Sequence, residues 1–385
     1  MTSVIFLGVL SVLVLVHELG HYLVARILGI RVEEFAFGLP FTRAVFTIKW
    51  GGTDYSVYPL LFGGFVRLYG EEGPASAKAT ARRRDFWSRG RKQRMLVIAA
   101  GVVMNVVLAV GGFVALYSAL GVPVGQENQV TVLKIEAESP ADKAGLKAED
   151  RILKVEARKI KDGEEFGRLM RSWAGLEVNL TVRRGKGTQL LEGITQDSYT
   201  DLAVRVVPRE NPPEGQGPVG VGIADYPYLL MQKCSTLSPQ CAGSAVVGGV
   251  RATGEWTSRV VEGLRGIGKS LVAGKTPEGV TGPVGIYQLT DVVSRGGAWP
   301  LVELVAVLSV NLAVFNVLPI PALDGGRMFF IWLEWARRKR LPAKMEQRVN
   351  AWGMAVLLSL LALITLQDVI RVGGIDKLLK LVRLK

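Results

Sequence analysis

The run Met95–Leu120 contains no charged residue and is long enough to cross the roughly 30 Å hydrocarbon core of a bilayer as a helix. Lipid accepts such a segment only when every backbone group is bonded internally, which a helix achieves. Three further stretches share this character: Val4–Val24, Trp299–Leu323 with the single acid Glu303, and Ala351–Leu366 with an extension toward Val369. With 49% apolar and only 21% charged residues over 385 positions, the chain reads as a polytopic α-helical membrane protein of about four transmembrane helices that carries an inserted domain. The first run lacks a basic leader and a small-residue cleavage site, so it is expected to be retained rather than removed as a signal peptide.

Basic residues set the orientation. Ala81–Arg94 ("ARRRDFWSRGRKQR") joins the first two runs and Ala336–Lys344 ("ARRKRLPAK") joins the last two, and clusters of this kind mark the cytoplasmic side. The amino terminus, the 121–298 segment and the carboxyl terminus then lie outside the cytoplasm. The basic tail from Arg371 carries Leu378, Leu379, Leu381 and Leu384, a spacing that suits an amphipathic helix on the membrane surface. The net charge of +13 sits largely in these flanking clusters, so it points to the lipid bilayer and not to nucleic acid.

The only two histidines of the chain fall inside the first apolar run, in His17-Glu18-Leu19-Gly20-His21. Residues four apart share a helix face, so both imidazoles converge on one point with Glu18 beside it. This is the spacing of a zinc pair with an adjacent general base, and ionisable groups at membrane depth are costly enough to mark function. A catalytic zinc takes three protein ligands, and with no histidine left the third is Asp, Glu or Cys. Asp324 is the best candidate: it lies in "NLAVFNVLPIPALDGGRMFF" between Pro319, Pro321 and Gly325, Gly326, where a helix should break and expose backbone around a cavity. His17 lies about 13 residues into its run, roughly 20 Å at 1.5 Å per residue, which puts the site on the cytoplasmic side of the midplane. Thr53–Leu68 is β-prone around a Gly63, Gly64 break followed by Phe65, and a membrane-inserted hairpin here would offer a strand edge to an unwound substrate.

HELGH in a first membrane helix with N-x-x-P-x-P-x-L-D-G in a late one resembles the site-2 protease family of intramembrane zinc metalloproteases, in its bacterial regulator of sigma-E protease branch. Phe62–Glu72, Ala99–Ala109 and Thr281–Ile286 resemble that branch's membrane-associated β-hairpin region, second span and the stretch before its third. The resemblance implies one zinc ion per chain held by His17, His21 and Asp324, Glu18 as the catalytic carboxylate, and Asn316 as a contact to substrate backbone or the developing oxyanion. It also implies a transmembrane protein substrate such as an anti-sigma factor or a remnant signal peptide, and residence in a bacterial inner membrane. Arg327 stands where related sequences have histidine.

Val130–Ile160 orders a strand, a helix start at Ser139-Pro140, a Gly145 stop and another strand, with Leu176–Gly185 as a further strand. This order resembles a circularly permuted PDZ domain, with its peptide-binding loop near Gly217–Ile223 and room for one such domain. Ser244–Gly274 reads as a helix lying along the membrane. The expected organisation is 1–120, two spans with the HExxH motif and hairpin region; 121–226, an extracytoplasmic PDZ-like α+β domain; 227–298, a surface helix and linker; and 299–385, two spans with the LDG motif and the tail. Cys234 and Cys241, outside the cytoplasm, could form a disulfide. The competing function is a non-catalytic PDZ-containing receptor or metal-binding membrane protein, and Glu18 discriminates, since only hydrolysis needs a carboxylate beside the ligands.

Overall fold

The structure, a computed structural model, describes residues 1–40, 42–60, 63–71, 84–195, 198–232, 239–274 and 282–371. The chain divides into two compact units, one formed by Met1–Phe113, Gly249–Arg295 and Leu304–Lys385, the other by Val114–Gly248 and Gly296–Glu303. The Cys234–Cys241 pairing and the amphipathic tail fall outside the described residues.

The first unit contains α1 (Thr2–Ile27), β1 (Val32–Phe37), β2 (Phe46–Trp50), β3 (Thr53–Val57), β4 (Gly64–Leu68) and most of α2 (Arg91–Leu120). The second contains β5 (Val122–Ile135), α3 (Pro140–Lys143), β6 (Arg151–Val155), β7 (Arg158–Lys159), α4 (Gly163–Ser172), β8 (Val178–Lys186), β9 (Ser198–Val206) and β10 (Val221–Gln232). The chain continues through α5 (Pro239–Val272), α6 (Pro283–Arg295), α7 (Ala298–Val317), α8 (Asp324–Arg337) and α9 (Ala343–Arg371).

Four described helices are long and apolar enough to span a membrane: α1, α2, α7 and the Ala343–Asp368 part of α9. The first two run a few residues past the expected bounds, and the last two depart further. The third run ends as a helix at Val317 and not Leu323, because Pro319 and Pro321 cannot donate to a helical ladder. The fourth begins at Ala343, directly after Pro342, so the polar turn Ala343–Asn350 is helical before the apolar stretch begins.

The sheet of the first unit has the order β2-β3-β1-β4. Thr53–Val57 and Gly64–Leu68 are both strands, but they do not form the expected hairpin with each other. β1 lies between them, parallel to β3 and antiparallel to β4, while the actual hairpin joins β2 to β3 across Gly51 and Gly52, whose φ values of 58° and 81° suit a tight two-residue turn. β1 takes the centre because its alternate residues Val32, Glu34 and Ala36 are buried. Glu34 is tolerated there because the Tyr58 hydroxyl donates to it at 2.9 Å and Arg67 lies 3.3 Å away. Among the described residues β4 therefore has a strand partner on one side only. Ala25 of α1 and Ile30 just after it, Val32 of β1, Leu68 of β4, Val97 and Ile98 of α2, and Ile331 of α8 belong to one buried cluster.

In the second unit the strand order is β10-β5-β6-β8-β9, with β7 on β6. Its core joins Val130 and Val132, Ile152, Leu180 and Val182 to Phe166 and Met170 of α4. The local signals behave as their chemistry dictates. Ser139 caps α3 by accepting from the Asp142 amide at 3.2 Å, and Gly145 turns the chain away at φ 77°. Arg183 forks onto Asp201 across the β8–β9 pair at 2.6 and 2.8 Å and holds that carboxyl below its ordinary range.

Candidate metal centre

α1 carries His17 and His21 one turn apart with ring centroids 4.8 Å from each other. Their Nε2 atoms are 3.2 Å apart, and Asp324 Oδ2 lies 3.0 Å from the first and 3.2 Å from the second. The sequence separates Asp324 from this pair by some three hundred positions, yet the fold brings all three ligand-type atoms to one spot.

Each imidazole is oriented from behind. His21 Nδ1 lies 2.8 Å from the Val97 carbonyl, which can only accept, so the ring proton sits on Nδ1 and Nε2 presents a lone pair. His17 Nδ1 lies 3.0 Å from the Asn105 amide nitrogen, while Asn105 Oδ1 is buried without a partner among the described residues. Exchanging the two ends of that amide lets Oδ1 accept from Nδ1–H, satisfying both groups and again leaving Nε2 bare. Two lone pairs and a carboxylate oxygen thus face one another, and Asp324 Oδ2 is buried without a hydrogen bond among the described residues. Such a cluster is repulsive unless a cation sits among its members. Zinc bonds of about 2.0–2.1 Å in a tetrahedron separate neighbouring ligand atoms by about 3.4 Å, within a few tenths of an ångström of the three edges here, so the donor set fits zinc.

Asp324 reaches this point through an abrupt turn. α7 stops at Val317, Leu318–Leu323 folds back, and Asp324 opens α8. Gly325 and Gly326 permit the fold-back: a Cβ on either would stand 2.0 Å from the Leu318 carbonyl oxygen or 2.5 Å from that of Ile320. Ala322 holds a left-handed φ of 75°, and its amide donates to Asn350 of α9 at 3.2 Å.

α2 supplies the facing wall. Gly20 of α1 lies so near Ala100 that an added Cβ would meet its carbonyl oxygen at 2.3 Å, a close crossing of the kind small residues allow in membranes. At Gly101 a Cβ would stand 2.4 Å from His21 Nε2 and 2.7 Å from His17 Cε1. Sequence reasoning assigned no role to Gly101 or Asn105, although an amide in a charge-free span is itself a signal of pairing.

The cluster lines a cavity of about 150 Å³ together with Glu18, Phe65, Glu71 and Arg327, well above the roughly 10–15 Å³ that one water needs. Phe65, Val66, Leu68, Glu71 and Arg327 also line a larger cleft of about 760 Å³. Arg327, at the shared wall, pairs with Glu71 at 2.6 Å, lies 3.9 Å from Glu346 and faces the Phe86 ring at 5.7 Å. Among the sequence-selected substrate residues, Phe65 lines the inner cavity. Gly64 stands against Ala36 and near Val14 and Leu15 of α1, Gly63 turns at φ 92°, and Asn316 is buried one residue before α7 ends.

The profile of peptidase family M50 matches residues 5–360. A protein named as a zinc metalloprotease in Clostridium perfringens is 34% identical over 364 residues, 94% of this chain and 96% of that one. Another so named in Nostoc is 30% identical over 92% of both chains, and the regulator of sigma-W protease RasP of Bacillus subtilis is 27% identical over 96% of this chain and 98% of its own. The match runs through both the α1 histidines and the Asp324 turn, and the chain belongs to peptidase family M50, as a zinc-dependent protease.

Proposed function

We propose that the chain hydrolyses peptide bonds within transmembrane segments of membrane proteins, with His17, His21 and Asp324 holding the zinc and Glu18 as the catalytic carboxylate. The observation that carries this reading is the meeting of two imidazole lone pairs and an otherwise unpartnered carboxylate oxygen on a helix apolar enough to cross a membrane, one residue from Glu18.

A zinc ion held by His17, His21 and Asp324 would supply Lewis acidity, which polarises a carbonyl and lowers the pKa of water toward neutral. Glu18 receives the water proton and returns it to the departing amine, the two halves of general base and acid work. Val97 and Asn105 keep the two rings aimed, and such outer contacts are worth about 10–100-fold in metal affinity. Water reaches Glu18 through the larger cleft, past the Arg327–Glu71 pair. A substrate helix hides its amides, so it unwinds before cleavage, and the edge of β4 away from β1 receives the extended segment by strand addition. Gly63 and Gly64 leave space for that strand, Phe65 packs against it at the cavity wall, and Asn316 contacts its backbone. The matching substrate class is a single-span membrane protein such as an anti-sigma factor, or a signal-peptide remnant, and the relative named regulator of sigma-W protease supports it.

The basic loops place the metal end of the helices toward the cytoplasm of a bacterial inner membrane and the β5–β10 unit outside it. That unit is a PDZ-like domain, whose strand and helix order supports the assignment, with Gly217–Ile223 as its peptide loop; α5 runs along the membrane surface.

Asp324→Asn tests the ligand set. The amide binds zinc far more weakly than a carboxylate, so metal analysis of the purified variant is expected to give well under half the wild-type zinc. Unchanged stoichiometry would assign the third ligand to another residue.

A further inference from the structure

A third cavity, of about 750 Å³, is lined by α2 and α8 and shares no residue with the His17–His21–Asp324 cavity. Leu96, Ile331, Trp332 and Trp335 line it together with Arg91 and Lys92 at the start of α2, and no acidic residue does so among the described residues. Leu96, Trp332 and Trp335 are 57%, 51% and 67% exposed, and Trp332 stacks on Phe329 at 5.7 Å. The charges behind the groove are already neutralised: Arg94, one turn past Arg91, pairs with Glu334 of α8, and both are buried. Arg91 and Lys92 have no acidic partner among the described residues. Arg340 adds further positive charge close by, donating to the Trp87 carbonyl at 2.8 Å and lying 3.4 Å from the Arg89 carbonyl oxygen.

Along α2 the order is Arg91, Lys92 and Arg94, the last of them paired with Glu334, and then a charge-free run long and apolar enough to cross a membrane. This repeats the layout of a lipid, charged at the interface and apolar beneath, and tryptophans favour the same depth. We propose that the groove binds one anionic phospholipid, its acyl chains against Leu96, Ile331 and the two tryptophans, and its phosphate at Arg91 and Lys92. Charge complementarity selects the headgroup, since two unpaired cations and no acid leave the rim positive. The volume is within the about 300–1,000 Å³ usual for small-molecule pockets. The apolar walls require acyl chains, because two solvent-facing cations alone would hold free phosphate poorly. This inference rests on α2 crossing the membrane and not on catalysis.

The test is native mass spectrometry of the full chain, zinc-loaded, released from mixed micelles of phosphatidylglycerol and phosphatidylcholine with identical acyl chains. Wild type is expected to retain one phosphatidylglycerol per chain with about twenty-five-fold preference, at about fivefold for each of the two basic side chains near the surface. Arg91→Gln with Lys92→Gln is expected to bring that preference close to unity. Leu96→Trp, at an exposed position, places a bulky ring on the acyl-chain wall without touching the charges and is expected to lower retention of both lipids about tenfold. Equal retention of the two lipids by wild type, an undiminished preference in the double variant, or undiminished retention in Leu96→Trp overturns the assignment. None of these readouts measures proteolysis, so their failure leaves the catalytic reading untouched.

Discussion

Glu18→Gln is expected to retain one zinc per chain while cleaving a reconstituted transmembrane peptide about a thousandfold more slowly than wild type, or below detection. The substitution keeps the size of the side chain and leaves His17, His21 and Asp324 in place, so metal content should not change. It removes the only carboxylate adjacent to the ligand pair in sequence that also lines their cavity. An amide can neither take the proton from water nor return it to the leaving nitrogen, and a positioned acid–base group contributes about 10²–10⁴-fold. The paired measurement separates the two functions that this motif allows. A metal-binding receptor would be indifferent to the change, whereas a hydrolase would keep its ion and lose its reaction. Cleavage at wild-type rate by the variant would remove Glu18 from the chemistry.

The second large effect belongs to Gly101→Ala, and its sign is the useful part. Alanine is favoured over glycine in a helix by about 1 kcal/mol, so on propensity alone the change should stabilise α2. At this position the new methyl would stand 2.4 Å from His21 Nε2 and 2.7 Å from His17 Cε1. The rings cannot simply swing aside, because His21 is fixed to the Val97 carbonyl and His17 to Asn105, and the helices cannot separate without losing the close approach at Gly20. The expected result is a helical, membrane-integrated protein with less than about a tenth of the wild-type zinc and no proteolysis. The same substitution at Gly111 of α2, where the added Cβ would meet nothing within 4 Å outside its own helix among the described residues, is expected to leave both unchanged. Full zinc content in Gly101→Ala would mean that the α1–α2 packing is looser than its geometry requires.

The site was legible in sequence to the extent that its chemistry was local. His17 and His21 declare a shared helix face by their spacing, and Asp324 declares itself as an acid among prolines and glycines in an apolar setting. Helix termination at Val317 follows from the same prolines, even though hydropathy alone carries the run to Leu323. Gly101 and Asn105 were not legible, because their roles depend on which face of α2 meets α1, and a nearly uniform apolar helix carries no periodic signal to tell. Strand order failed for a related reason. Thr53–Val57 and Gly64–Leu68 have strand character, but pairing depends on which neighbour buries which face, and β1, with two glutamates in "VEEFAF", hides its central position until Glu34 is seen bonded to Tyr58. The same holds for Arg327, whose partners Glu71 and Glu346 come from a strand-end turn and a distant helix.

X-ray absorption at the zinc edge of the purified, metal-loaded chain tests the central claim most directly, because the protein has only two histidines and two cysteines. The account predicts two imidazoles and oxygen ligands at about 2.0–2.1 Å with no sulfur. A sulfur shell at about 2.3 Å, or a spectrum with fewer than two imidazoles, would contradict it.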